Sequence, residues 1–155
     1  MIVSFCGHAQ FAGNAELERR MLEWIEERVG EEMVEFYLGG YGEFDRFAYA
    51  CCKKYRALHP SAMLVFVTPY LTEQYQRDHL RDRAQQFDSV VYPPIECKPL
   101  RLAILYRNRY MVECADVIVA YVAHMHGGAY QTLCHARRLG KSVFNLAEPE
   151  LDTKK

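Results

Sequence analysis

Two glycine-rich turns hold the residues of this chain best suited to chemistry: Gly39-Gly40-Tyr41-Gly42 and Gly127-Gly128. Each follows an apolar run, Val34 to Leu38 and Val117 to Tyr121, and each precedes a segment with helical periodicity. Glycine lacks a Cβ, so its backbone N–H groups can approach a ligand closely, and a helix behind it adds partial positive charge. That chemistry suits phosphate, and two such turns suit a nucleotide-sized ligand shared between them. Tyr41 and Tyr130 lie inside and just beyond the turns, placed to stack on a base. With 11 tyrosines in the chain, core packing is the equal alternative.

An arginine between the two turns stands out next. At 100° per residue, a helix from about 99 to 113 carries Leu100, Ala103, Ile104, Met111 and Cys114 on one stripe. Arg107 falls in the middle of that stripe, whereas Arg109 points away from it. A charge on a buried face must be paired or must bind something. Arg107 is therefore either an anion fork for a phosphate or carboxylate, or a structural residue that pairs with an acid such as Asp45 or Asp116 or snorkels to water. Asp45 and Glu43, beside the first turn, are candidate catalytic carboxylates, although placement near a helix N-terminus is the favoured account of both. His124-Met125-His126 has no cysteine or carboxylate at metal-ligand spacing and reads as an exposed loop pair, with His126 in reach of a phosphate. No metal is expected. Cys134 and His135 diverge on a helix, which argues against a Cys–His nucleophile.

Strands alternating with helices must position these groups. Ile2 to Cys6 reads as a buried strand ending at Gly7-His8. Asn14 can cap a helix whose stripe is Leu17, Met21, Trp24, Ile25 and Val29, stopped by Gly30. The second helix carries Phe44, Phe47, Ala48, Cys51 and Tyr55; strands follow at Met63–Val67, Ser89–Tyr92, Val117–Tyr121 and Ser142–Leu146. Residues 71–87 are rich in charge and poor in apolar positions, which fits an exposed helix or a flap. The pattern implies one Rossmann-like α/β domain over residues 1–147, its mainly parallel sheet of five to six strands covered by helices on both faces, then a polar tail over 148–155. Ligands of such folds sit beyond the carboxyl ends of the strands. Gly7-His8, both glycine turns and Thr68 all lie there, so they should meet in one crevice.

Bulk composition narrows the partners. Of 155 residues, half are hydrophobic and 25% charged, as expected of one globular domain. A net charge of −1 argues against a nucleic-acid partner, since counterion release needs a basic surface. Six cysteines lack metal spacing and read as reduced thiols of a cytoplasmic protein. Neither a signal peptide nor an apolar run near the ~18 residues of a membrane span is present.

The order of Phe5-Cys6-Gly7, Tyr37-Leu38-Gly39-Gly40-Tyr41-Gly42, Arg107-Asn108-Arg109-Tyr110-Met111 and Ala115-Asp116-Val117-Ile118-Val119-Ala120 with Gly127-Gly128 resembles the SLOG superfamily. That Rossmann-like group includes the lonely-guy phosphoribohydrolases and the DNA-processing proteins. Within it the chain most resembles a small bacterial or phage branch of the DUF1273 type. Lonely-guy enzymes end a strand in Cys-Gly-Ser-Ser, where this chain has Cys6-Gly7-His8-Ala9. They carry Pro-Gly-Gly-x-Gly-Thr-x-x-Glu at the last turn, and here Tyr130 replaces the third glycine and Cys134 the catalytic glutamate. Cleavage of an N-glycosidic bond usually needs a carboxylate, so its loss favours binding over reaction.

The sequence thus leads to an expectation of a protein that senses or sequesters a nucleotide-derived ligand, such as an NAD or ADP-ribose relative or a signalling nucleotide. Gly7, His8, Gly39, Gly40, Tyr41, Gly42, Arg107, Gly127, Gly128 and Tyr130 would line the site. A nucleotide N-glycosidase using Asp45 or Glu43 and a non-catalytic interaction module are the alternatives. No other cofactor, membrane or nucleic acid is expected, and the resemblance implies association into homodimers or larger homo-oligomers.

Overall fold

The computed structural model describes residues 1–149, so the polar tail expected over 148–155 lies mostly outside the described residues. Six strands form one sheet: β1 (Ile2–Gly7), β2 (Glu35–Leu38), β3 (Met63–Val67), β4 (Ser89–Val91), β5 (Val117–Tyr121) and β6 (Ser142–Asn145). Their order across the sheet is β4-β3-β2-β1-β5-β6, and every pairing is parallel. Parallel strands need crossover connections, and the helices that supply them cover both faces.

Alternation along β1 sorts the core. Val3 and Phe5 face the side on which Met21, Ile25 and Val29 of α1 (Ala15–Val29) and Phe44, Ala48 and Cys52 of α2 (Glu43–Leu58) are buried. Cys6 faces the other side, with Val112 of α5 (Ala103–Cys114) and Leu133 and Ala136 of α6 (Gly128–Arg138). Ser4, also on that side, donates its hydroxyl to the Met111 carbonyl at 2.8 Å and ties β1 to α5. The expected caps are present. Asn14 Oδ1 accepts from the Leu17 N–H at 2.8 Å, and Gly30 ends α1 with φ of 58°.

Two segments differ from the sequence reading. A short 3-10 turn, Leu100–Leu102, replaces the first turn of the helix expected from 99, and α5 starts at Ala103. Residues 73–86 form one mostly exposed helical run, as one of the two expectations had it, but its period is broken: α3 (Glu73–Tyr75), a π-helical turn (Gln76–Leu80) and α4 (Arg81–Gln86) follow one another. Three contacts pin this segment to the body. Tyr41 and Tyr75 hydroxyls meet at 3.1 Å, Arg83 Nη2 donates to the Gly40 carbonyl at 3.0 Å, and Tyr49 donates to the Gln86 carbonyl at 3.1 Å. None of these is visible as a local periodicity.

The chain runs outward from β1 to β4, then returns past β1 to build β5 and β6. The connections therefore diverge between β1 and β5, and a crevice opens beyond their carboxyl ends. Gly7 pairs with Tyr121 across that point, and the His8 N–H donates to the Tyr121 carbonyl at 3.3 Å.

Candidate functional site

A cleft of about 620 Å³ occupies this switch point. It brings together Gly7 and His8 after β1, Gly39, Tyr41 and Gly42 after β2, Arg107 on α5, and Gly127 and Gly128 before α6. Gly40 and Tyr130 are not on its wall. Gly40 faces a neighbouring cavity, and Tyr130 packs against the core beneath α6. Asn108 and Thr132, which the sequence did not single out, line the cleft as well, as do His124 and His126 of the loop pair.

The two glycine turns differ in what their N–H groups can do. In the first, the Tyr41 N–H donates to Asp45 Oδ2 at 2.8 Å and the Glu43 N–H to the Ala9 carbonyl at 2.9 Å. Those two donors are occupied, although Gly42, like Gly127, caps its helix with no side-chain hydrogen bond. Gly42 has φ of 88°, and a Cβ there would lie 2.8 Å from Ala9 Cα, so conformation and space both demand glycine. Gly7 is a packing glycine: a Cβ would stand 2.3 Å from the Phe44 ring.

The second turn is open. Gly127 caps α6 at φ of 89° with no side-chain hydrogen bond, and a Cβ on Gly127 or Gly128 would meet nothing within 4 Å. The first-turn N–H groups of α6 therefore face the cleft without a capping side chain, and the positive end of the helix dipole lies behind them.

Beside this helix start stands a column of imidazoles. His8 stacks on His124 at 3.7 Å between ring centroids, and His124 on His126 at 3.9 Å. His8 Nε2 accepts from the Ala123 N–H at 2.9 Å, which fixes the neutral tautomer with its proton on Nδ1. Burial lowers the His8 pKa, and the neighbouring His124 and His126 lower it further. Stacked rings do not converge their nitrogens on one point. Accordingly, no group of three His, Cys, Asp or Glu among the described residues could hold a metal ion.

Arg107 is 1% exposed and resolves the two readings left by its place on the helix. Nη1 donates to the Gly39 carbonyl at 2.7 Å and the Val67 carbonyl at 2.9 Å, and Nε donates to Asn108 Oδ1 at 2.9 Å. It forms no ion pair with Asp45 or Asp116. Instead the guanidinium caps the carboxyl ends of β2 and β3, where a Cβ on Gly39 would crowd it at 3.0 Å. The Asp116 carboxylate is used elsewhere, accepting from the Ile2 N–H at 2.7 Å. Arg107 Nη2 has no protein acceptor among the described residues, and Tyr41 covers the guanidinium with its ring centroid 5.4 Å from Cζ.

The two carboxylates flanking the first turn are unlike. Burial pushes Asp45 up to about 6, opposed by the Tyr41 N–H bond and by the Arg107 and Arg83 guanidinium groups. Glu43 is exposed and pairs loosely with Arg46 at 3.5 Å. Cys6 lines the cleft, but burial and the Asp45 charge push its thiol up to about 12, so it is no thiolate nucleophile.

No protein-family model matches the chain, and no curated protein matches it. Solved structures similar in fold include the following three. DNA processing protein A from Helicobacter pylori, described for its single-stranded DNA binding mode, matches with a TM-score of 0.61 at 16% identity, over 99% of this chain and 67% of that one. DNA processing protein A from Streptococcus pneumoniae matches with a TM-score of 0.61 at 20% identity, and this chain spans about half (51%) of its length. The structural-genomics target TM1055 matches with a TM-score of 0.53 at 15% identity, over 92% of this chain and 71% of that one.

Two expectations fall here. Binding or cleavage of a small nucleotide is overturned by similarity to DNA processing protein A, of which the Helicobacter pylori form binds single-stranded DNA. The exclusion of nucleic acid falls with it. Net charge sums over the whole surface and does not describe any one edge of it. Glu26, Glu27, Glu31 and Glu32 cluster where α1 turns into β2, at the amino edge, opposite the cleft. What the comparisons show is the fold: a Rossmann-like domain of the kind found in DNA processing protein A.

Proposed function

We propose that this chain binds single-stranded DNA across the carboxyl edge of its sheet, seating the phosphodiester backbone against the start of α6. The observation that carries this reading is one juxtaposition. An uncapped helix N-terminus, three stacked imidazoles and a 38% exposed Tyr41 ring border a single open cleft, on a fold shared with a DNA-binding neighbour. Backbone N–H groups at Gly127 and Gly128 take a phosphate, and His124 and His126 donate to it from the side. Tyr41 offers a face on which a base can stack, an interaction every base can make.

The other residues act through position. Gly7 and Gly42 let α2 and the 8–9 segment close against the cleft, and Arg107 holds Gly39 while contributing positive potential through Nη2. Gly40 and Tyr130 support the turns from outside the cleft. No bond needs to break for this function, which accords with Cys134 standing where lonely-guy enzymes have glutamate.

Fluorescence anisotropy with labelled oligo-dT of roughly 20 nucleotides, against a duplex of equal length, tests the reading. Single strands should bind more tightly than duplex, and Tyr41→Ala should weaken binding by about 1–3 kcal/mol. Absence of binding at low salt, or equal binding by Gly128→Glu and the parent chain, would overturn it.

A further inference from the structure

A second cavity, of about 410 Å³, lies between α2 and the segment from α3 to α4, and nothing in the strand reading uses it. It adjoins the cleft through the first glycine turn. Gly39, Tyr41 and Gly42 face the cleft, Gly40 faces the second cavity, and Asp45 lines both. A strand held in the cleft therefore passes the mouth of this cavity.

Its mixed lining, apolar walls with acceptors and donors at the edges, suits a base better than a phosphate. Leu38, Tyr49 and Phe87 give it apolar and aromatic walls, while Asp78, Asp82 and Gln86 stand beside Arg46 and Arg83 at its polar edges. Carboxylates repel phosphates but accept N–H groups. A metal does not explain them, because no group of three such ligands among the described residues is placed around a common point. Asp82 makes no ion pair or hydrogen bond among the described residues, so its carboxylate is available to a ligand.

We infer that this cavity takes one unstacked guanine of the bound strand, read by the Asp82 carboxylate. Guanine is the base whose Watson–Crick edge presents two parallel donors, N1–H and N2–H, matched to the two oxygens of a carboxylate. Its O6 and N7 acceptors lie beside them, where a guanidinium such as that of Arg46 can donate. Adenine and cytosine place a ring-nitrogen acceptor beside their amino group, and thymine flanks one N–H with two carbonyls. Each would set an acceptor against Asp82. Splayed bases read on their Watson–Crick edges are the usual route to sequence preference in single strands.

This inference rests on the strand reading, and one experiment separates their failures. Anisotropy would be measured for short oligo-dT strands unmodified or carrying one central dG, dA or dC. The dG strand should bind about tenfold more tightly than the others. Asp82→Asn should erase that advantage and leave unmodified oligo-dT affinity unchanged, with circular dichroism confirming the fold. Equal binding of all four strands, or a dG advantage that survives in Asp82→Asn, would overturn the guanine pocket while leaving strand binding intact. Failure of every strand to bind would overturn both.

Discussion

Arg107 shows how a side chain that lines a cleft can also be a structural clamp. Its Nη1 holds carbonyls of residues 68 and 40 positions earlier in the chain, at the ends of β2 and β3. Removing it orphans two buried acceptors, each costing about 1–3 kcal/mol. Arg107→Ala should therefore lower stability by about 3 kcal/mol or more in a urea titration, whether or not DNA is present. Two titrating groups in the cleft pull stability in opposite directions. His8 has a lowered folded pKa, so its contribution is complete above the unfolded value of 6.5 and is lost as pH falls through the folded one. Asp45 is raised from 3.8 to about 6, so its contribution is complete below 3.8 and is lost as pH rises through about 6. Asp45→Asn, which keeps an oxygen for the Tyr41 N–H, should thus stabilise the protein more at pH 8 than at pH 5. His8→Gln should cost more at pH 8 than at pH 5. Thermal melts at the two pH values check both signs.

Among the elements, α6 carries the sharpest contrast between neighbouring residues. Gly127 sits at φ of 89°, a conformation that costs an L-residue about 1–2 kcal/mol, although space around it is free. Gly128 opens the helix with ordinary backbone and equal space. Gly127→Ala should lower the urea midpoint, whereas Gly128→Ala should leave it unchanged or raise it by up to about 1 kcal/mol in stability. The α3-to-α4 segment is illegible in the sequence because its order comes from outside it. Its π-helical turn disrupts the 3.6-residue period, and Tyr41, Gly40 and Tyr49 supply the contacts that hold it. A π-turn is a feature often tied to function, and here it brings Asp78 to the second cavity, beside Asp82, Arg83 and Gln86 of α4.

At the scale of the whole molecule, a net charge of −1 with donors gathered at one edge implies a small electrostatic footprint. Contact with two to four phosphates would give a slope of log K against log salt of about −1.4 to −2.8 for a single strand. A slope near zero in an anisotropy titration would exclude backbone recognition at the cleft. The layered fold is legible in the amino-acid sequence by itself, since parallel strands buried on both faces appear as the apolar runs of β1, β3 and β5. Asn14 and Gly30 likewise announce the limits of α1 through local hydrogen bonding and backbone conformation. Those are short-range effects, written in adjacent residues. What Arg107 grips, which N–H groups of the first glycine turn are held, and how His8 comes to stack on His124 depend on residues far apart in the chain. They became fixed only when the strand order β4-β3-β2-β1-β5-β6 brought the ends of β1, β2 and β5 to one place.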